Sequence, residues 1–264
     1  MGTDPVGQHS MYALTRRGGL GRFFLAGLAC LAWSARARAL SLSDIETQIR
    51  LNVRDNPSSS AQQRYTDTTL DLLINDAQRE VVNFTWCLEK VTTQALASGT
   101  TYYDLPTDML AVKQVTYVSS TGERSELVEW SEKKVIDQEP DYERSSTGEP
   151  NHYFVRITTS TTGIKPQIVF LPIPTSSFGT AYIQYFVVAS DLETDAAVPF
   201  LGLTTLYSYH NLLVYRVTAR IKAMEGKFSQ ADFYQKLFET GVLNMRDRIG
   251  ARPNYNPSLQ GAPR

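Results

Sequence analysis

Three histidines, two cysteines and a scatter of carboxylates are the side chains through which this 264-residue sequence could do chemistry. Their spacing argues against it. His9, His152 and His210 lie too far apart for the HExxH or HxxxH pattern that puts two imidazoles on one helix face beside a zinc ion. Cys30 and Cys87 are too few for a disulfide scaffold or a cysteine-rich zinc site. His152, beside Tyr153, reads as a strand-edge residue. Nucleophile chemistry fares no better, because no GxSxG elbow is present. Gly18-Gly19-Leu20-Gly21 is not a phosphate loop, since no strand precedes it and no Gly-Lys-Ser/Thr follows. No DxD or paired-carboxylate motif appears. The reading is therefore of a protein that is not an enzyme, with no catalytic residue, no cofactor and no metal.

The stretch Thr100–Tyr117 is the most informative part of the chain. Tyr102-Tyr103 is β-prone, and Leu105-Pro106 breaks it because proline fixes φ and pushes its predecessor into extended geometry. Thr107-Asp108 can turn the chain, after which Val112, Val115, Tyr117 and Val118 resume a strand. Strand, kink, short connection and strand together describe a corner in a β-domain.

The first 39 residues stand apart. Arg16, Arg17 and Arg22 precede an apolar run, Phe23–Trp33, that is too short to span a bilayer, and Ala37-Arg38-Ala39 has the small residues of a cleavage site. Two readings fit: a secretory signal of twin-arginine flavour, or a start placed too far upstream. Either way the folded unit is expected to begin near Leu40. From there on the chain carries 21 basic and 26 acidic residues, and the charge is divided: Leu213–Arg264 has nine basic and four acidic residues. An acidic body with a basic C-terminal end is not the footprint of a sequence-specific nucleic-acid binder. It admits a partner of opposite charge at that end.

Taken in order, Ser43-Asp44-Ile45-Glu46 has the capping-box pattern and predicts a short helix ending before the turn-rich Asn56-Pro57-Ser58. A second helix is predicted from Thr66 or Asp67. Leu70, Leu73, Ile74, Ala77, Val81 and Phe84 recur on one face, with Asp71, Asn75, Gln78 and Arg79 on the other. The period then falls to two. Candidate strands are Cys87–Leu96, Thr101–Leu105, Val112–Val118, Ser125–Val128, His152–Thr158, Gln167–Leu171 and Thr180–Val188, with one helical turn capped by Ser131 and with Pro172 and Pro174 closing the sixth strand. Helical spacing returns at Leu206, His210, Leu213, Val217, Ile221 and Met224, thickened by Tyr207, Val214 and Tyr215. Gly226 suits a left-handed C-cap, Ser229 a cap of the next helix and Phe228 a hydrophobic staple.

The fold class is thus α+β, a helical bundle from N- and C-terminal helices with an inserted antiparallel β-domain. Its parts are the extension 1–39, N-terminal helices 40–84, β-domain 85–195, C-terminal helix hairpin 196–249 and a flexible tail 250–264.

At this point the sequence resembles the head–tail adaptor family of tailed double-stranded DNA phages. Gly99-Thr100-Thr101-Tyr102-Tyr103-Asp104-Leu105-Pro106-Thr107-Asp108-Met109 is similar to its G-x-x-x-Y-x-L-P-x-D-hydrophobic signature. Ile74-Asn75-Asp76-Ala77 is similar to its I-N-x-A helix, and Gly148-Glu149-Pro150 and Ile168–Pro174, ending in P-x-P, arrive in the family's order. The likeness covers about residues 42–250, and an intracellular virion part has no use for a secretory signal, which favours the misplaced start. It implies a structural virion protein in a ring, typically dodecameric in that family, below the portal. Its partners would be itself, the portal, a tail or nozzle protein and double-stranded DNA passing non-specifically, with no membrane. The wide apolar face of Leu206–Met224, with Tyr207, Val214 and Tyr215, is the expected ring interface. Arg246, Arg248, Arg252 and Tyr255 are expected to dock onto the portal. The alternative is an exported binding or surface module with a β-rich ligand face.

Overall fold

The computed structural model describes residues 39–55, 63–144, 147–160, 163–174 and 179–250. The signal-like segment, the 56–60 loop, Arg252 and Tyr255 lie outside the described residues.

Helix α1 (Leu42–Val53) starts two residues earlier than its sequence pattern implies. The box is built by Ser41 and Asp44, not Ser43 and Glu46: Asp44 N–H donates to Ser41 Oγ at 3.2 Å, and the Asp44 carboxylate accepts from Ser41 N–H at 3.1 Å. Ser41 has the extended backbone a cap requires, whereas Ser43 is already helical. Glu46 is thereby released to face α2.

Helix α2 (Asp67–Thr85) begins as predicted, with Thr66 capping Thr69 N–H. Leu70, Ile74, Ala77 and Val81 are fully buried, but two assignments fail. Phe84 is exposed, and Asn75 and Gln78 are buried. The two amides grip the segment that follows the β-region. Asn75 accepts from Leu192 N–H and donates to its carbonyl, while Gln78 donates to the Ser190 carbonyl and accepts from Phe200 N–H. Polar type placed them outside; the backbone groups of 190–200 brought them in.

The β-region contains β1 (Glu89–Ala95), β2 (Tyr102–Asp104), β3 (Met109–Val118), β4 (Arg124–Glu126), β5 (Val128–Glu129), helix α3 (Glu132–Gln138), β6 (Thr147–Gly148), β7 (His152–Ser160), β8 (Gly163–Leu171), β9 (Ile173–Pro174) and β10 (Thr180–Val187). One sheet has the order β1-β10-β3-β4 and the other β2-β8-β7-β5. Leu96, Val115, Tyr117, Ala181 and Ile183 from the first pack against Tyr103, Tyr153, Ile168 and Phe170 from the second, a sandwich core. The Leu105-Pro106-Thr107-Asp108 corner carries the chain from one sheet to the other. Leu105 N–H donates to the Pro166 carbonyl, Met109 N–H closes the turn on Pro106, and Asp108 accepts from Lys90 Nζ at 2.8 Å. Pairing is not wholly antiparallel: β5–β7 and β6–β9 run parallel. The chain does not stop at Pro172, which follows a cis peptide, but re-pairs as β9 with β6. Ser131 caps α3 as predicted. Beneath α3, Val135 and Tyr142 cover the outer side of the second sheet at Phe154 and Val169.

Gly179, which leads into β10, has no room for a side chain. A Cβ there would lie 2.2 Å from the Tyr117 ring and 2.4 Å from the Val118 carbonyl oxygen. Backbone cannot yield as a side-chain tip does, so Gly179→Ala is expected to cost about 2 kcal/mol or more, read as a lower midpoint in thermal or urea unfolding. An unchanged midpoint would show that the β3–β10 pair can shift apart.

The last helices are α4 (Asn211–Met224) and α5 (Phe228–Gly250). Residues 204–209 form a 3-10 turn instead of the first turn of α4. Between the two helices a Schellman turn closes with Lys227 N–H on the Lys222 carbonyl and Gly226 N–H on Ala223, with Gly226 at φ 73° as its left-handed position requires. Helix α5 starts at Phe228, ahead of Ser229, and Phe228 is exposed and staples nothing. The two-sided apolar character of α4 is met within the chain, because α1, α2 and α5 all pack against it. Ile45, Ile49, Leu70, Ile74, Leu213, Val217, Phe238 and Met245 share one core, to which β10 adds Tyr185 and Val187.

Candidate functional site

Of the residues expected at a ring interface, only some reach the surface. Val214 is 2% exposed and belongs to the helical core. Tyr215 is half-buried, its ring 6.4 Å from that of Tyr234 on α5. Tyr207 is half-buried on the 3-10 turn, edge-on to His210 at 5.2 Å. Of the three, Tyr207 and Tyr215 keep part of their surface exposed and Val214 does not. Of the basic set, Arg246 and Arg248 are exposed near the end of α5.

Neither described histidine sits in a reactive setting. His210 is fully buried; its Nδ1 accepts from Leu40 N–H at 3.0 Å, and burial lowers its pKa to about 4, so it is neutral. It fastens the start of the folded unit to the 3-10 turn. His152 stacks on Trp130 with ring centroids 3.8 Å apart, and burial, with Lys134 nearby, lowers its pKa as well. No cluster of three metal-ligating side chains exists among the described residues. Among them, too, no helix is long and apolar enough to cross a membrane.

What the helices do hold is an ionic network where the α1–α2 connection meets the α4–α5 turn. Asp55, 3% exposed, accepts from Arg50 Nη1 at 3.2 Å and from the backbone N–H groups of Arg64 and Tyr65. Glu225 receives Arg64 at 2.7 Å and Lys227 at 2.8 Å. The Lys227 hydrogen bond leads the causes that hold the Glu225 pKa low, and burial pushes that of Lys222 down. A second network ties α2 to α4: Glu80 accepts from Arg216 Nε at 2.7 Å and from Arg220 Nη2 at 3.0 Å. Such pairs position elements; Glu80 and Arg220 also line an open surface hollow of about 370 Å³ together with Asp76 and Arg79.

The surface carries the rest. A cleft of about 450 Å³ opens between the 3-10 turn and the end of α5, walled by Leu203, Leu206, Tyr209 and Ile249, with Glu89 and Arg248 at its polar margin. At the α4–α5 turn Met224 and Phe228 are 64% and 71% exposed, and Phe233 and Leu237 are exposed on the opposite side of α5. Sequence reasoning assigned Phe228 inward as a staple and so missed it.

The comparisons agree with this picture. A family model, SU10 adaptor protein, matches residues 40–259. The chain belongs to that family. It is a phage adaptor-type protein, and a structural virion component follows from that membership. No curated protein matches the chain. The adaptor match begins at Leu40, the residue whose N–H is held by His210.

Proposed function

We propose that this adaptor forms a ring, dodecameric in the simplest case, below the portal at the head–tail junction. It would extend the DNA channel and present a platform to the tail or nozzle protein. In this reading the helices of both chain ends work as one bundle into which the β-domain is inserted, and the protein has no catalytic task. The observation that carries the reading is the pairing of adaptor-family membership with exposed apolar side chains, Met224 and Phe228, at the α4–α5 turn. A ring needs a heterologous contact whose rotation closes. Double-stranded DNA would pass without specific contacts, since a lumen rich in lysine and arginine would hold phosphates.

The basic end of α5, with Arg246 and Arg248, and the following Arg252 and Tyr255 are the proposed portal contact. Arginine forks pairing with carboxylates, and one aromatic side chain in a pocket, suffice for such docking. The test is to mix the purified chain with portal-bearing capsids and image the vertex. A ring on the portal is expected, with attachment weakened by salt. Deleting residues 251–264 should leave the chain folded and abolish attachment. A full-length chain that never decorates the portal overturns the reading; a truncated chain that still attaches moves the contact to the helices or the β-domain.

A further inference from the structure

An exposed aromatic stands at one end of α5 and a cleft with apolar walls at its other end, and no described residue covers Phe228 or fills the cleft. Phe228 is 71% exposed beside Met224 on the α4–α5 turn. Ile249, 21 residues further along the same helix, is a wall of the cleft, about 31 Å away at helical rise. A chain cannot insert its own Phe228 over that span. We propose that Phe228 of one copy enters the cleft of a second copy, lying against Leu203, Leu206, Tyr209 and Ile249.

The cleft, at about 450 Å³, takes a phenyl ring with room for the neighbouring Met224 side chain. Charge supports the same seating. At the cleft margin Glu89 is already paired with Lys113 at 2.7 Å, which leaves Arg248, with no ion-pair partner among the described residues, as the open charge; Asp232, one turn from Phe228 on the same helix face, has among those residues an exposed pair with Lys236. Leu203, 42% exposed, forms the outer lip and gains most from being covered. Because knob and hole are different surfaces, the contact is heterologous: each copy can receive one neighbour and enter another, and the series closes into a ring when the rotation allows. This deepens the ring reading and rests on it for the identity of the partner as a second copy. The cleft includes residues of the 3-10 turn that carries Tyr207.

The test is sedimentation velocity of the full chain without portal, up to about 0.5 mM, where one aromatic anchor gives measurable association. The wild type should associate reversibly. Phe228→Asp and Leu203→Asp should each weaken association at least about tenfold. Thr205→Trp, which fills the cleft from an exposed position, should do the same if the leucine variant misfolds. The deciding measurement is the mixture: Phe228→Asp keeps its cleft and Leu203→Asp keeps its phenylalanine, so together they should form a dimer and nothing larger. Failure of the mixture to pair, or a monomeric wild type at that concentration, overturns the proposal. Loss of association on removing residues 251–264, with Phe228→Asp unaffected, would make the C-terminal segment the occupant and also overturn it. A portal ring that still assembles from Phe228→Asp leaves the ring reading standing and removes only this contact.

Discussion

Asp55→Ala is expected to destabilise the folded unit by about 3–5 kcal/mol, among the largest single-site effects available outside the hydrophobic core. Asp55 is 3% exposed and neutralises Arg50, itself 7% exposed, while accepting from two backbone N–H groups at 3.0 and 3.1 Å. Removing the carboxylate orphans both N–H groups and takes one of two counter-charges from a buried guanidinium. Arg50 keeps Asp67 at 2.5 Å and the Tyr65 carbonyl at 2.9 Å, which sets the effect toward the lower end of the range. Asp55→Asn, which retains an acceptor and loses the charge, should fall between. Urea unfolding of the three proteins measures this directly. A loss under about 1 kcal/mol for the alanine variant would mean that water enters and solvates Arg50.

Glu46→Gln should raise stability, and increasingly so as pH rises. Glu46 is turned toward α2, where it meets Asp71 and Asp67, with Arg50 on its own helix as the single favourable charge. Burial first, then the hydrogen bond and the charge of Asp71, raise its pKa from 4.5 to about 8. Its bond to Asp71 exists only while one of the two carboxyls holds a proton, and Asp71 Oδ1 is otherwise buried without a partner. The sign follows from linkage. The folded state binds the proton more tightly than the unfolded chain, so the contribution is complete below about pH 4.5 and is lost as pH climbs to about 8. Glutamine keeps a neutral donor at every pH. Melting temperatures of the two proteins should converge near pH 4 and separate by several degrees at pH 8 and above. Parallel curves across that interval would show that Glu46 is solvated and titrates normally.

The helix starts at Thr66 and Ser131, the left-handed Gly226 and the corner at Leu105-Pro106 were all legible in the sequence. Each depends on residues within a few positions of one another, where capping geometry and fixed φ act locally. The capping box of α1 was misplaced by two residues because Ser41-x-x-Asp44 and Ser43-x-x-Glu46 satisfy the same pattern; contacts of Leu42 and Ser43 with the carbonyls of Ala197 and Asp195 accompany the earlier start. Asn75 and Gln78 were assigned outward by polarity alone. Their partners lie more than a hundred residues on, and a buried amide is recognisable only when the backbone that satisfies it is in place. The likeness to the I-N-x-A helix was the one sequence signal that marked Asn75.

The surface followed the same division. Composition and spacing alone led to the expectation of no reactive constellation, because the residue types that build one were absent from the necessary separations. They also located most strands and helices, since periodicity is a property of neighbouring residues, but the expected strand Ser125–Val128 divides between β4 and β5 in different sheets and β6 and β9 had no such signal. Which apolar residues would remain uncovered was decided only by packing. Val214 and Phe228 are both apolar residues at helical positions, yet α4 is packed against by α1, α2 and α5 while Phe228, at the start of α5, is left exposed. A side chain's exposure is set by the elements that close over it, and those come from the far ends of the chain.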